Sequence, residues 1–151
     1  MRVHDEHIPD ELFSEFIAQM PQVCVEVLVE TDNGVLLAKR TNEPVQGEWF
    51  WPGGRLYKGE PLEDAAHRVA EEELGLEVEI EDRFGVYTHF WETSAEQGQP
   101  SRHTINIVYH VTPTGDQPTI SLDAQHTETR WASEQSEEFH EYINTYLNDF
   151  Y

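Results

Sequence analysis

The stretch GGRLYKGEPLEDAAHRVAEEELGL runs from Gly53 to Leu76. Two glycines and a turn lead into a segment with helical spacing, three glutamates and a closing Gly75. The spacing predicts a helix from about Pro61 to Leu74, with Gly75 as its C-cap, because glycine adopts the left-handed conformation without a Cβ penalty. On that helix residues 69, 72 and 73 share one side, being three and four apart. Glu72 and Glu73 also lie near the C-terminal end, where the helix dipole disfavours acids. Arg68 faces Glu72 one turn away and offsets part of that cost. Adjacent carboxylates repel, and a divalent cation relieves the repulsion. Val69 stands among these acids, where a further carboxylate would fit.

Carboxylates alone cannot locate a site here, because the 151 residues carry 30 acids against 9 basic residues, a formal net charge of −21. Such a charge suits a folded protein in a salt-rich cytoplasm, where screening limits self-repulsion and an acidic surface stays solvated. The four Trp, six Tyr and seven Phe argue against a disordered acidic chain. Binding of nucleic acid across a broad surface is not expected at this charge. The single cysteine, Cys24, excludes an internal disulfide and a cysteine metal cluster and reads as core packing. With no signal peptide and no apolar 18-residue run, the expectation is a cytoplasmic protein without a membrane partner.

The scarce basic residues are more informative. Lys39, Arg40, Arg55, Lys58 and Arg68 are five of the nine and fall within 30 residues. A chain that otherwise avoids positive charge concentrates it around one loop and one helix. An anionic ligand such as a phosphate explains that, and pairing with local acids is the plainer alternative. Carboxylates beside arginines point to Mg²⁺ and a diphosphate, since Mg²⁺ takes oxygen ligands and shares them with phosphates.

Around this segment the periodicities give a first helix over 8–20 with Leu12, Phe16, Ile17 and Met20 on one face, and strands over 23–30 and 35–40 joined by TDNG. Further strands are expected over 76–91, 103–111 and 127–132, with a final helix carrying Phe139, Ile143, Tyr146, Leu147 and Phe150. The loop 41–54 holds Trp49, Phe50 and Trp51, which could stack on a base or pack the sheet edge. ETSAEQGQPS (92–101) reads as a polar loop or lid. The sum is one α/β domain over 1–151, a mixed sheet with helices against it.

These residues resemble the Nudix hydrolase box, G-x5-E-x7-R-E-U-x-E-E-x-G-U. Gly54, Glu60, Arg68, Glu72, Glu73, Gly75 and Leu76 fill it, and Val69 stands where the family has Glu. With KRTNEPVQGEWFWPGGRLYKGEPLEDAAHR (39–68), the lapse at Val69 is similar to the GDP-mannose mannosyl hydrolase branch. The resemblance implies a homodimer with a Nudix-type α/β/α sandwich. It also implies magnesium-dependent hydrolysis of a nucleotide sugar, GDP-mannose or GDP-glucose, by water attack at the anomeric carbon with inversion. By motif, the Mg²⁺ ligands (Mn²⁺ as substitute) fall on Gly53, Glu73 and Gln125, with Glu72 retained as an auxiliary. The general base falls on His126, with Glu128 and His103 as candidates to orient it. Arg40 and Arg55 would grip the diphosphate, with Arg68 as the box arginine. His89, in GVYTHF, and Glu26, on the guanine edge if one residue is skipped before Val35, complete the substrate contacts. Thr104 stands where the branch has a tyrosine, so a phenol near the phosphates would come from elsewhere, Tyr87 and Tyr109 being the candidates.

The chemistry follows from these roles. Arginine forks and a metal stabilise charge building on a leaving diphosphate. Inverting sugar hydrolysis needs a base on the opposite face, and a histidine near its free pKa of about 6.5 suits that task. Glu60 is expected to hold the loop to the helix. The alternative is a conventional Nudix pyrophosphatase cutting P–O bonds of a nucleotide sugar or nucleoside triphosphate, for which Val69 is a handicap. A nucleotide-binding module without catalysis and an acidic scaffold are the non-enzymatic readings; Glu73, Gln125 and His126 oppose the first and the basic cluster opposes the second.

Overall fold

A two-residue turn at Asp32 and Asn33 folds the first two strands onto each other, β1 (Gln22–Thr31) and β2 (Gly34–Arg40), with Thr31 opposite Gly34. Gly34 has φ +111°, and a Cβ there would lie 2.5 Å from the Ala132 carbonyl oxygen, so the close strand crossing requires glycine. The computed structural model describes residues 1–41, 46–92, 101–115, 119–122 and 126–151, with the backbone alone for His126 and Thr127.

Beyond that turn the two strands part. The first half of β1 pairs with β4 (Gly53–Arg55), and the end of β2 pairs with β3 (Trp49–Phe50). On its other edge β1 runs parallel to β6 (Arg102–Pro113), which is antiparallel to β5 (Val78–Trp91). The free edge of β2 takes β7 (His126–Ala132). The described strands form a seven-stranded mixed sheet, and three helices complete it: α1 (Asp10–Gln19), α2 (Leu62–Leu74) and α3 (Glu141–Phe150). This is an α/β/α sandwich.

Alternation along β1 distributes the core. Val25, Val27 and Val29 face α2, meeting Ala65, Ala66, Val69, Ala70 and Leu74. Leu28 faces the other way, into a second cluster with Trp51, Ile143, Tyr146 and Leu147 under α3. Fully burying each such aliphatic side chain contributes about 1.5–3 kcal/mol. Because both sheet faces are covered, Glu26 does not lie on a solvated face: it is 3% exposed, on the α3 side.

The helix over the box ends as its spacing predicts: Gly75 caps α2 at φ 65°, its N–H reaching the carbonyls of Ala70 and Glu71. The first helix differs from expectation. Ile17 is buried, but Leu12, Phe16 and Met20 remain exposed, because a helical stripe fixes a common face without supplying neighbours to cover it. The aromatics of the loop all pack. Trp51 stacks on Tyr146 at 5.7 Å, Phe50 is buried against His89, and Lys39 lies over Trp49. No helix among the described residues is long and apolar enough to cross a membrane. The lid segment lies outside the described residues at 93–100.

Candidate active site

Pairing of β4 with β1 sets the site. Glu26 lies opposite Gly53 and Cys24 opposite Arg55, while Pro52 accepts a hydrogen bond from the Val27 N–H. A Cβ on Gly53 would come within 2.7 Å of Glu26 Cγ, so the chain passes close over this side chain only as glycine. The Gly53 N–H donates to Glu73 Oε2 at 2.8 Å, tying the strand to the end of α2. Glu73 is 7% exposed on the face of α2 that also buries Val69.

The three glutamates of the helix separate by position. Glu71 is exposed, Glu73 is buried, and Glu72 stands at the edge, accepting from Arg68 Nη1 at 3.1 Å. Arg68 holds Glu60 through two hydrogen bonds, Nε to Oε2 at 2.7 Å and Nη2 to Oε1 at 2.9 Å, and its Nη2 also donates to the Arg55 carbonyl. Glu60 accepts in addition from the Tyr57 N–H. Burial raises the Glu60 pKa, but the Arg68 hydrogen bonds outweigh it and hold this carboxyl below its usual range. Burial likewise lowers the Arg68 pKa, and the pairing with Glu60 more than reverses it. Arg68 therefore braces the loop against the helix, with four of its N–H contacts inside the protein.

These groups surround a cavity of about 340 Å³. Of the residues expected at a site, Glu26, Arg40, Gly53, Arg55, Arg68, Glu72, Glu73 and His89 all line it. Gln125 lies outside the described residues. His126 opens β7 with its backbone opposite Arg40, which brings that strand end to the same region. Of the groups proposed to orient His126, Glu128 is exposed and His103 sits on β6, stacked on Phe90 and separated from β7 by β1 and β2. The two tyrosines proposed to supply a phenol do not reach the cavity. Tyr87 donates to Asp149, and Tyr109 is buried in the α2-side core. Among the described residues the phenol at the cavity is Tyr57, under the guanidinium groups of Arg68 at 4.0 Å and Arg55 at 4.7 Å.

Other lining residues escaped the sequence reading. Phe13 of α1 and Arg102 and Asn106 of β6 face the cavity, beside Thr104, which the sequence reading had marked only as the replacement of a tyrosine. Burial lowers the Arg102 pKa, with Arg40 adding to the effect, and the side chain lies over Phe13 at 5.9 Å. A scarce cation in an acidic chain was the available signal for Arg102, but it lay 34 positions beyond the Arg68 cluster. Cys24 also lines the cavity, and burial pushes its thiol up to about 12, so it remains protonated and unreactive.

The donor set suits a hard cation. Among the described residues no three His, Cys, Asp or Glu side chains converge on one point. Glu72, Glu73 and the Gly53 backbone offer oxygen donors only. That number fits Mg²⁺, which takes one or two carboxylates and fills its remaining positions with substrate phosphates and water.

Glu26 carries a consequence of its burial. Desolvation raises its pKa from 4.5 to about 8, against hydrogen bonds from Asn106 and Tyr146 and the charge of Arg40. A carboxyl with a raised folded pKa favours the fold in its protonated state. Its contribution is complete below the unfolded value and is lost as pH climbs through the folded value. The metal-free protein is expected to lose the Glu26 contribution to thermal stability as pH rises from about 4.5 to about 8, and Glu26→Gln, which cannot ionise, to remove that loss. Melting curves in chelator check this; a wild-type midpoint that stays flat over the interval contradicts it.

Comparison with known proteins places this geometry. The NUDIX domain model matches residues 20–145. The low-salt glycan biosynthesis protein Agl8 of Haloferax volcanii is 40% identical over 141 residues, covering 93% of this chain and 89% of that protein. An ADP-ribose pyrophosphatase of Methanocaldococcus jannaschii is 35% identical over 108 residues, covering 72% of this chain and 60% of that protein. Among solved structures, a MutT NUDIX hydrolase from Burkholderia pseudomallei matches with a TM-score of 0.71 at 26% identity, covering 88% of this chain and all of that one.

Proposed function

The chain belongs to the NUDIX domain family and is a Nudix hydrolase, and we propose that it cleaves the phosphoanhydride of a nucleoside diphosphate sugar with magnesium. The observation that carries this reading is that Glu72 and Glu73 line one cavity together with Arg40 and Arg55. Carboxylates for a metal and guanidinium groups for a diphosphate then act on the same few ångströms of substrate. The pyrophosphatase from Methanocaldococcus jannaschii supports the choice of bond.

Arg40 and Arg55 bind and orient the diphosphate, and their charge stabilises the oxyanion that develops on the departing phosphate. Magnesium, when held by Glu73, Glu72 and the Gly53 carbonyl, supplies further neutralisation of that charge. Glu73, fixed by the Gly53 N–H, keeps the ligand geometry rigid. Val69, 1% exposed, offers no proton acceptor. Glu72 has a half-exposed side chain and is the carboxylate on this helix face that solvent reaches; with Oε2 held by Arg68, its other oxygen would take the proton of the attacking water when it is not bound to the metal. Phe13 and Trp51 add apolar wall to the cavity.

A second reading is favoured by Val69 itself. With an apolar residue in the box, water attack at the anomeric carbon, with His126 as base and Gln125 beside the metal, would give GDP and free mannose or glucose. The Haloferax protein, named for glycan biosynthesis, supports a nucleotide sugar under either reading.

Turnover of ADP-ribose, GDP-mannose, GDP-glucose and nucleoside triphosphates with Mg²⁺, at low and at molar salt, tests the proposal. A nucleotide sugar is expected to yield a nucleoside monophosphate and a sugar phosphate. Turnover of none of these compounds would contradict it.

A further inference from the structure

On the α3 side of the cavity lies a run of buried polar groups. Thr104 Oγ1 donates to Asn106 Oδ1 at 2.7 Å, and Asn106 Nδ2 donates to Glu26 Oε1. The Tyr146 hydroxyl donates to the same Glu26 oxygen at 3.3 Å and lies 2.9 Å from His89 Nε2. Tyr146 comes from α3, 120 positions from Glu26 in the chain, and is not itself on the cavity wall. Two atoms of the run have no partner among the described residues, Glu26 Oε2 and His89 Nδ1. Both side chains line the cavity, and His89 is 1% exposed. An unpartnered polar atom so deeply buried costs stability unless a ligand or water meets it.

One arrangement of protons satisfies every contact of the run with Tyr146 donating to Glu26. Asn106 Oδ1 is occupied as an acceptor from Thr104, so its amide nitrogen faces Glu26 and Glu26 Oε1 is an acceptor. A phenol has one proton. With that proton given to Glu26, the Tyr146 oxygen meets His89 as an acceptor, and His89 Nε2 carries the hydrogen. The ring of His89 is stacked on Tyr142 at 4.1 Å and 5°, which fixes its plane and the direction of Nδ1.

We propose that Tyr146 is a positioning residue that locks His89 in the Nε2–H tautomer, so that Nδ1 presents a fixed lone pair to an N–H or O–H donor on the uncharged part of the substrate. This rests on the reading of the cavity as a nucleotide-sugar site. Burial lowers the His89 pKa to about 4, with the nearby His140 adding to it, consistent with a neutral ring. The donor belongs to either the base or the sugar, which share this chemistry.

Nitrogen-15 NMR of the ligand-free protein reads the tautomer directly, with the His89 signals assigned by their loss in His89→Gln. The expected spectrum has Nε2 protonated and Nδ1 bare in the wild type, and mixed tautomers in Tyr146→Phe. A wild type protonated on Nδ1, or a tautomer unchanged in Tyr146→Phe, overturns the proposal. The wild-type spectrum decides even if the variant fails to fold. In binding, Tyr146→Phe is expected to weaken one fragment about five- to tenfold, the size of one neutral hydrogen bond. The fragments are GDP and mannose 1-phosphate, titrated separately: loss with GDP places the donor on the base side, loss with mannose 1-phosphate on the sugar, and loss with neither overturns the role in binding. A wild type that binds neither fragment overturns the nucleotide-sugar reading, and the NMR result stands apart from it.

Discussion

Replacing Glu73 by glutamine is expected to lower turnover by about a thousandfold while leaving the melting temperature close to that of the wild type. The side chain is 7% exposed and its Oε2 already accepts the Gly53 N–H at 2.8 Å. An amide of the same shape retains an oxygen for that contact, so the strand stays tied to the helix. What the amide lacks is the negative charge. A neutral oxygen holds Mg²⁺ more weakly, and the charge building on the diphosphate loses its counterweight. The loss should be partly recovered by raising Mg²⁺, because the defect lies in metal affinity as well as in the bound complex. Steady-state kinetics across a Mg²⁺ titration check this. A variant within tenfold of wild type at every Mg²⁺ concentration would remove Glu73 from the site.

Substitution of Arg68 by methionine is expected to act on the fold first, by about 1–3 kcal/mol, the cost of leaving a part-buried carboxylate without its donors. The Glu60 side chain is 5% exposed and receives two hydrogen bonds from this one guanidinium. Methionine fills part of the volume but leaves the Glu60 carboxylate with the Tyr57 N–H as its remaining hydrogen bond among the described residues. The Arg55 carbonyl loses its donor as well, so the loop carrying Arg55 and Gly53 loosens from α2. Glu60 has a depressed pKa in the fold, so its stabilisation is present above the unfolded carboxylate value and is lost as pH falls through the folded one. The wild type should therefore lose this contribution in acid, below a pH of about 4.5, and the variant should lack it at every pH. Denaturant melts of both proteins at neutral and acid pH measure it. A variant as stable as wild type at neutral pH would contradict the bracing role.

Much of this was legible in the chain because it is local. Gly75 could be read as a cap, and Arg68 as the partner of Glu72, because helix geometry places residues one turn apart whatever surrounds them. The separation of Glu71, Glu72 and Glu73 follows from the same geometry, since 100° of rotation per residue allows only some of three neighbours to face the core. The strands β3 and β4 were hidden in the loop 41–54, because two and three residues are too few to show an alternation. What the sequence could not show is which distant surface meets which. Alternation puts Tyr87 and Tyr109 on faces of their strands but not beside the phosphates, and the structure sends both elsewhere. Tyr57 is in the box itself, yet its stacking under two arginines depends on β4 folding back over α2. Arg102 and Tyr146 reach the site from β6 and α3, through contacts with no short-range signal. Val69 remains the most informative single position. It is buried and apolar between carboxylates, and it turns the choice of bond into a question for chemistry.

Hydrolysis of a nucleotide sugar in ¹⁸O-labelled water, with mass analysis of every product, tests the central claim most directly. Cleavage of the phosphoanhydride predicts the label in a phosphate group, on the nucleoside monophosphate or the sugar phosphate, with no free sugar formed. Label confined to free mannose or glucose, released beside unlabelled GDP, would contradict it and assign the reaction to the anomeric carbon.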